Sequence, residues 1–599
     1  MNVVVRLGFL VLIAECGWAQ SSAQELADAV AQQWAGGSEA GFAALYPFRE
    51  GRDDLANAAS KRWKRINGLS SVIRGGGQRA VLLLSGVPLA GNAGDDTGLA
   101  RGFSGVYEAS ASAGRWRLDR QVPLQDLGQI RAQQLNMTVR PGHGVDVEDR
   151  MSVRIAGSNG FAARLNYRAN LRRVTAAGGD ARYQFGGGLL WADLPPGEAE
   201  LTLQYSIEVE TAPNDANSGR FTEPFGHIRN QYFWHPFFDF ANPEDQAGFQ
   251  VKARIPKAYG LTVSLPQTEH IEGEYRIVVG KTVHPTMALS LAYDRDWNVL
   301  REKAAGVRLE LFLTPEFRPA PAAVVQEVQT VYPLLANRFG EPGGGYLAIV
   351  QLRADPSGDA WHFNSNQAVF ATGSPGSFAR KEAGPKAGLG HEIGHLWTNG
   401  AGPAANFLRE GWATYTESLV LEQEFGADTA RLFWKSYAQV YLLIADGKAS
   451  ILEDRDNGGL SYAKGSWVFH MLEQALGSDA FAKAMTRFSR RSLAGEATWE
   501  VLAECFQELG APEFDARAFL LPWLQEKSAP HLTAQVDGRR VTVRQEEPFF
   551  QLPVTVEAKT AQGTERHRVW IRGREATVEF TGDVTEPRLD PDEVLLLRR

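Results

Sequence analysis

With 599 residues, 44% of them hydrophobic and 22% charged, the chain has an ordinary globular composition and is too long for a single core. Roughly three to five domains are expected. Its 61 Gly and 29 Pro follow no Gly-X-Y period and form no low-complexity tract, which excludes a collagen-like or wholly disordered chain. Lys+Arg 62 against Asp+Glu 70 leaves a net charge of −8, which argues against general nucleic-acid binding.

The first segment reads as an address. Met1–Arg6 supplies a short basic start, Leu7–Ala14 an apolar run, and Gly17-Trp18-Ala19 a small-residue cleavage pattern. A signal peptide over 1–19 is therefore expected, with export to the periplasm or the medium. The apolar run is too short to span a bilayer. Lipidation at Cys16 is disfavoured because Glu15 stands where a small residue is needed. Removing the leader leaves Cys505 as the one cysteine, so no intrachain disulfide can form.

Four further regions follow from pattern. Residues 20–127 open with a helical stretch near Glu25–Val30. A polar helix is expected around Asp54–Lys64, where Lys61-Arg62-Trp63-Lys64-Arg65 reads as a solvated helix face, and then strands such as Ala80–Leu84. This is an extra N-terminal α+β domain. From 128 to 300 the period falls to two, as in Leu201–Ile207, giving an antiparallel β-sheet domain. The aromatic run Tyr232–Phe240 within it reads as core. From 301 to 528 two strands, Leu309–Leu313 and Tyr346–Val350, give way to helices of 3.6-residue period. Residues 529–599 return to alternation (Val541–Val543, Val554–Val556), a small β-sandwich. The fold class is multidomain α+β.

The informative string is His391-Glu392-Ile393-Gly394-His395. Two imidazoles four residues apart on a helix share a face and can bind one tetrahedral ion. Glu392, beside the first, can reach a water polarised by that ion and take its proton. Two core histidines are the plain alternative, but chance places such a string in only about one chain in a hundred of this composition. A third ligand is required. Glu410, opening an amphipathic helix after the loop Gly400–Pro403, is the candidate; alone it would read equally well as a carboxylate favouring a helix start.

These residues make the chain resemble the gluzincin aminopeptidases, typified by aminopeptidase N and leukotriene hydrolase. The resemblance rests on four stretches: His391–Thr398 followed by Phe407–Ala413; Tyr462-Ala463-Lys464-Gly465; Trp234–Asp239; and Leu589-Asp590-Pro591. It covers about residues 128–599. It implies a thermolysin-like, mostly helical catalytic domain over 301–528 and one zinc ion held by His391, His395 and Glu410. Peptide bonds would be cleaved by a zinc-bound water that Glu392 activates. Tyr462 would donate to the oxyanion of the intermediate; a packed aromatic is its plain alternative. Glu417 would orient a ligand imidazole, or stand as a solvated helix carboxylate.

Two departures from the family pattern are visible. The spacer between His395 and Glu410 is fourteen residues, shorter by about one helical turn. The family's Gly-x-Met-Glu-Asn stretch, whose Glu binds a free α-amine, corresponds here to Trp361–Phe370, which has no carboxylate. Asn364, Asn366 and Gln367 would supply neutral acceptors only. The family's closing helical domain is also not expected, which would leave a more open cleft. Three functions follow: an aminopeptidase-like zinc peptidase acting on peptides, an endopeptidase without a free-amine anchor, or a non-catalytic peptide-binding protein on the same scaffold.

Overall fold

A computed structural model describes residues 22–35, 66–88, 103–209 (except 158), 219–238 (except 230 and 231), 246–315 (except 288), 321–353, 361–372 (except 366 and 367), 388–509 (except 455–458) and 514–598. The expected leader and the polar helix around Asp54–Lys64 with its basic cluster lie outside these residues. Helix α1 (Ala23–Ala35) packs on a four-stranded antiparallel sheet whose strands Ile66–Gly76, Arg79–Pro88, Phe103–Ser112 and Arg115–Val122 follow one another in order. Leu26 and Val30 bury against Leu82, Leu84 and Leu118, while Val81, Leu83 and Val106 on the other face meet Leu189 and Trp191. With both faces covered, Ala80–Leu84 is apolar without alternation.

An eight-stranded sheet follows, in the spatial order Gln267–Glu272, Tyr275–Lys281, Gly248–Pro256, Gln129–Arg140, Gly144–Ile155, Gly197–Glu208, Asn170–Ala176 and Gly179–Asp180. Every neighbouring pair is antiparallel except Gly248–Pro256 with Gln129–Arg140. One face is polar and the other carries Leu135, Leu203, Tyr205 and Val251 into a core. The aromatic run crosses that core: Trp234 is fully buried and its Nε1 donates to the Leu289 carbonyl at 2.7 Å. Beside it, buried His235 accepts the Leu289 amide on Nε2 and places Nδ1 3.2 Å from the Pro236 carbonyl.

Next comes a five-stranded sheet in the order Asn298–Ala304, Val307–Leu313, Tyr346–Leu352, Ala368–Thr372, Trp361–Ser365. Its first strand crosses residue 300, where the sequence pattern placed a division, because Asn298–Ala304 pairs throughout with Val307–Leu313. Helix α2 (Pro321–Phe339) covers one face through Val324, Val328, Val331 and Leu335. The other face holds Phe312, Ala348 and Val350 against Ala292.

The rest is mainly helical: α3 (Gly388–Gly394), α4 (Trp412–Phe425), α5 (Ala427–Ile444), α6 (Gly465–Leu476), α7 (Ser478–Leu493), α8 (Trp499–Leu509) and α9 (Ala516–Gln525). Two three-stranded sheets close the chain, Leu532–Asp537 with Arg540–Gln545 and Glu575–Glu579, and Gly563–Ile571 with Leu552–Thr560 and Thr585–Leu589. One hydrophobic cluster runs from α2 through Trp412, Phe469 and Trp523 to Val541 and Val554. Cys505 is a free thiol sealed inside it. The molecule is thus a multidomain α+β protein with a large β-sheet region and a helical part towards the C-terminus. No described helix is long and apolar enough to cross a membrane.

Candidate metal centre

His391 and Glu392 lie in α3, and His395 begins the 3-10 turn His395–Trp397 that continues it. The two imidazoles sit 5.0 Å apart, nearly perpendicular at 81°. Their Nε2 atoms converge on one oxygen: Glu410 Oε2 lies 3.4 Å from His391 and 3.5 Å from His395. Among the described residues, this is the one group of three His, Cys, Asp or Glu side chains close enough to share an ion, with donor atoms within 4.8 Å of one another.

Glycine contacts set this convergence. Gly390 and Gly394 present bare backbone to α4, where a Cβ on Gly394 would collide with Thr416 Oγ1 and lie 3.4 Å from Ala413 Cα. Glu410 sits not at a helix start, as the sequence suggested, but within a π-helical turn, Phe407–Gly411, that runs directly into α4. A second π turn, Gly459–Lys464, carries Tyr462 and runs into α6. The two turns cross glycine on glycine: a Cβ on Gly411 would lie 3.0 Å from both the Gly465 carbonyl carbon and the Ser461 carbonyl oxygen. Such widened turns interrupt the regular ladder, often where a side chain must be aimed.

Burial alone would lower the His391 pKa, but the Glu410 and Glu417 carboxylates outweigh it and hold the imidazole well above its usual range. Burial would raise the Glu410 pKa, yet the charges of His395 and His391 hold it well below the usual carboxylate range. Two imidazole nitrogens and one carboxylate oxygen facing one point fit a zinc site that keeps an open position. Glu417 Oε2 lies 3.5 Å from His391 Nδ1, on the far side of the ring from Glu410.

Glu392 is 6% exposed, and its charge acts on both His391 and Tyr462. The Tyr462 ring stacks on the His391 ring, with centroids 5.7 Å apart and planes within 6°. Burial and the Glu410 and Glu392 carboxylates push its phenol above the usual value, so the hydroxyl keeps its proton. Of the three amide residues, Asn364 lies on the edge strand Trp361–Ser365, whose other side pairs with Ala368–Thr372 and against which α3 packs. Asn366 and Gln367 lie outside the described residues. The structure therefore brings together His391, Glu392, His395, Glu410, Glu417 and Tyr462. Lys464, two residues after Tyr462, entered the sequence reading only as part of the Tyr462–Gly465 stretch; the structure buries it fully.

No family model matches the chain. Two curated relatives, probable M1 family aminopeptidases 1 and 2 of Encephalitozoon cuniculi, are each 22% identical over 32% of this chain, which spans 25% of their length. Among solved structures, Legionella pneumophila aminopeptidase A in complex with aspartic acid superposes with a TM-score of 0.65 and 14% identity, over 80% of this chain and 60% of its own. The M1 zinc metallopeptidase of Deinococcus radiodurans gives a TM-score of 0.55 and 16% identity, over 68% of this chain and 98% of its own. A mutant of that metallopeptidase bound to a Tyr-Ser-Ala substrate gives 0.56 and 16%, over 68% and 99%. The fold is the one these M1 metallopeptidases share, and the family resemblance carried by the sequence points to the same proteins.

Proposed function

We propose that this chain is a zinc-dependent peptidase, aminopeptidase-like, in which His391, His395 and Glu410 hold one zinc ion. The reading rests on the convergence of both histidine Nε2 atoms on Glu410 Oε2, with Glu392 buried alongside. Zinc held there would supply Lewis acidity to the attacking water and the scissile carbonyl.

The chain's own groups do the rest. Glu392 takes a proton from the attacking water and passes it to the departing amine as the C–N bond breaks. Tyr462 donates its hydroxyl proton in a hydrogen bond to the oxyanion, an interaction of about 2.7–4 kcal/mol in comparable sites. Glu417 fixes the tautomer of His391. The edge of Trp361–Ser365 that pairs with no described strand lays an extended peptide alongside as an added strand. In this reading 301–528 is the thermolysin-like catalytic domain, 20–127 and 128–300 are the preceding α+β and β-sheet domains, and 529–599 is a small sandwich. The leader over 1–19 sends the protein out of the cytoplasm.

One observation favours endopeptidase cleavage as a second reading: the stretch Trp361–Phe370 has no carboxylate to pair with a free α-amine. The test is mass spectrometry of a peptide mixture incubated with the zinc-loaded protein, each peptide present with free and acetylated N-termini and Glu392→Gln as control. Loss of single N-terminal residues from free peptides alone supports the aminopeptidase. Equal internal cleavage of both forms supports the endopeptidase. Profiles identical to the control would overturn both and leave a peptide-binding protein.

A further inference from the structure

Tyr462 poses a structural question. The residue is 37% exposed and its ring is stacked on His391 along one face, so the place of its hydroxyl also depends on how the π turn that carries it is held. Three contacts hold that turn from its buried side. Ser461 Oγ bonds Asp454 Oδ2 on one side, and the Gly411–Gly465 crossing holds the turn against Glu410. On the third side Lys464, 0% exposed, donates from Nζ to the backbone carbonyl of Glu526 at 2.6 Å.

This third contact is unusual in kind. Glu526 caps the C-terminal end of α9, where unpaired carbonyls and the helix dipole favour a cation. The ammonium also lies 5.6 Å from the centre of the buried Tyr441 ring, a cation–π contact strengthened by desolvation. Tyr441 in turn donates to the Lys527 carbonyl at 3.0 Å, and Asp446 accepts from the Ala529 amide at 2.8 Å, so the segment that receives Lys464 is itself tied down. Burying an ammonium with one carbonyl acceptor costs stability. Desolvation lowers the Lys464 pKa to about 8, with Asp446 and Glu526 opposing the shift. An apolar side chain of the same length would fill the space at less cost, so the charge is retained for what it holds.

We infer that Lys464 is a positioning residue, tethering the Tyr462 turn to the C-terminal end of α9 so that the tyrosine hydroxyl is held over the metal centre. This rests on the catalytic role proposed for Tyr462.

The test compares Lys464→Met, Tyr462→Phe and the double variant in the full-length, zinc-loaded protein. Zinc content, kcat and KM are measured on one peptide, together with hydrogen exchange of the segment 459–466. Lys464→Met is expected to lower kcat about tenfold or more with little change in KM or zinc content, and to speed exchange across that segment. Added to Tyr462→Phe it is expected to lower kcat no further, since its effect passes through the missing hydroxyl. Lys464→Gln, shorter but still a donor, is the second variant and should show the same pattern with a smaller loss.

An equal fold-loss in both backgrounds, or unchanged exchange across 459–466, overturns the tether. If Tyr462→Phe alone leaves kcat intact, the role given to the tyrosine falls; the exchange data then still decide whether Lys464 holds the turn.

Discussion

Glu410 and Glu392 are both carboxylates beside the same imidazoles, yet they stand differently towards them, and the proposed function gives them different tasks. Glu410 Oε2 is the atom on which both histidines converge, whereas Glu392 is buried to one side. Glu410→Gln is therefore expected to lose zinc, seen as a fall in bound metal after dialysis against a weak chelator. Glu392→Gln should keep its zinc while turnover drops by at least a hundredfold, the order general-base removal commonly gives. A Glu392→Gln protein that loses its metal would contradict this division. Tyr462→Phe should lower kcat by about 10²–10³ with zinc content unchanged.

His235 carries a pH prediction of a different kind. Burial lowers its pKa to about 4 from an ordinary 6.5. Between those values the unfolded chain binds a proton that the folded protein refuses, so stability falls as pH drops from about 6.5 to about 4 and levels below that. Its hydrogen bonds fix the neutral form, because the Pro236 carbonyl can only accept and the Leu289 amide can only donate. Glutamine can meet both roles without titrating. Urea midpoints at pH 7 and 4.5 should thus differ less in His235→Gln than in the parent; equal differences would remove His235 from the acid response.

At the scale of elements, the site is made by backbone proximity. Gly411→Ala would thrust a methyl against the Gly465 carbonyl carbon and the Ser461 carbonyl oxygen, neither of which can rotate away. The two π turns must part, and with them Glu410 and Tyr462. A loss of about 1–3 kcal/mol of stability is expected, as for other overpacked positions, along with weaker zinc binding and lower kcat; thermal melting and metal content measure both. Gly426→Ala is a useful contrast. Its φ of +87° makes alanine strained, but no atom lies near its Cβ, so it should cost stability and leave the site's chemistry alone.

Much of this level was legible in the sequence, and for physical reasons. The four-residue spacing of His391 and His395 fixes a shared face on any helix. The unbroken run Ala80–Leu84 and the alternation of Leu201–Ile207 report burial on two faces and on one. The aromatic run around Trp234 lies in the core, as its density suggested. The π turns were not legible, because no residue preference marks them: they arise where Gly411 meets Gly465, two glycines far apart in the chain. Nor was the burial of Lys464. The stretch Tyr462–Gly465 carries the resemblance, but nothing in it says where the ammonium goes until the C-terminal end of α9 arrives to receive it.

For the whole molecule, the hydrophobic clusters matter most. Leu135, Leu203, Tyr205 and Val251 belong to one core, and Trp412, Phe469, Trp523, Val541 and Val554 to another. Calorimetry is therefore expected to show more than one transition. Metal binding stabilises the unit that holds it, so chelation should lower the transition of the helical part and leave that of the eight-stranded sheet in place. A single transition moving as a whole would show that the cores unfold together. The second core also joins the helices to the final strands, so ending the chain after residue 528 should expose Trp523 and Phe519 and give a protein that binds hydrophobic dyes.

Cys505 has one more consequence. The thiol is enclosed in the core shared by the helices and the last two sheets, out of reach of a partner sulfur. In the folded state Cys505 therefore takes no part in a covalent cross-link, and the stability it lends the core does not depend on the electron-transfer poise of the surroundings. A chain beginning at residue 20 should melt at the same temperature whether it is made in a reducing cytosol or recovered from an oxidising medium, with or without added reductant.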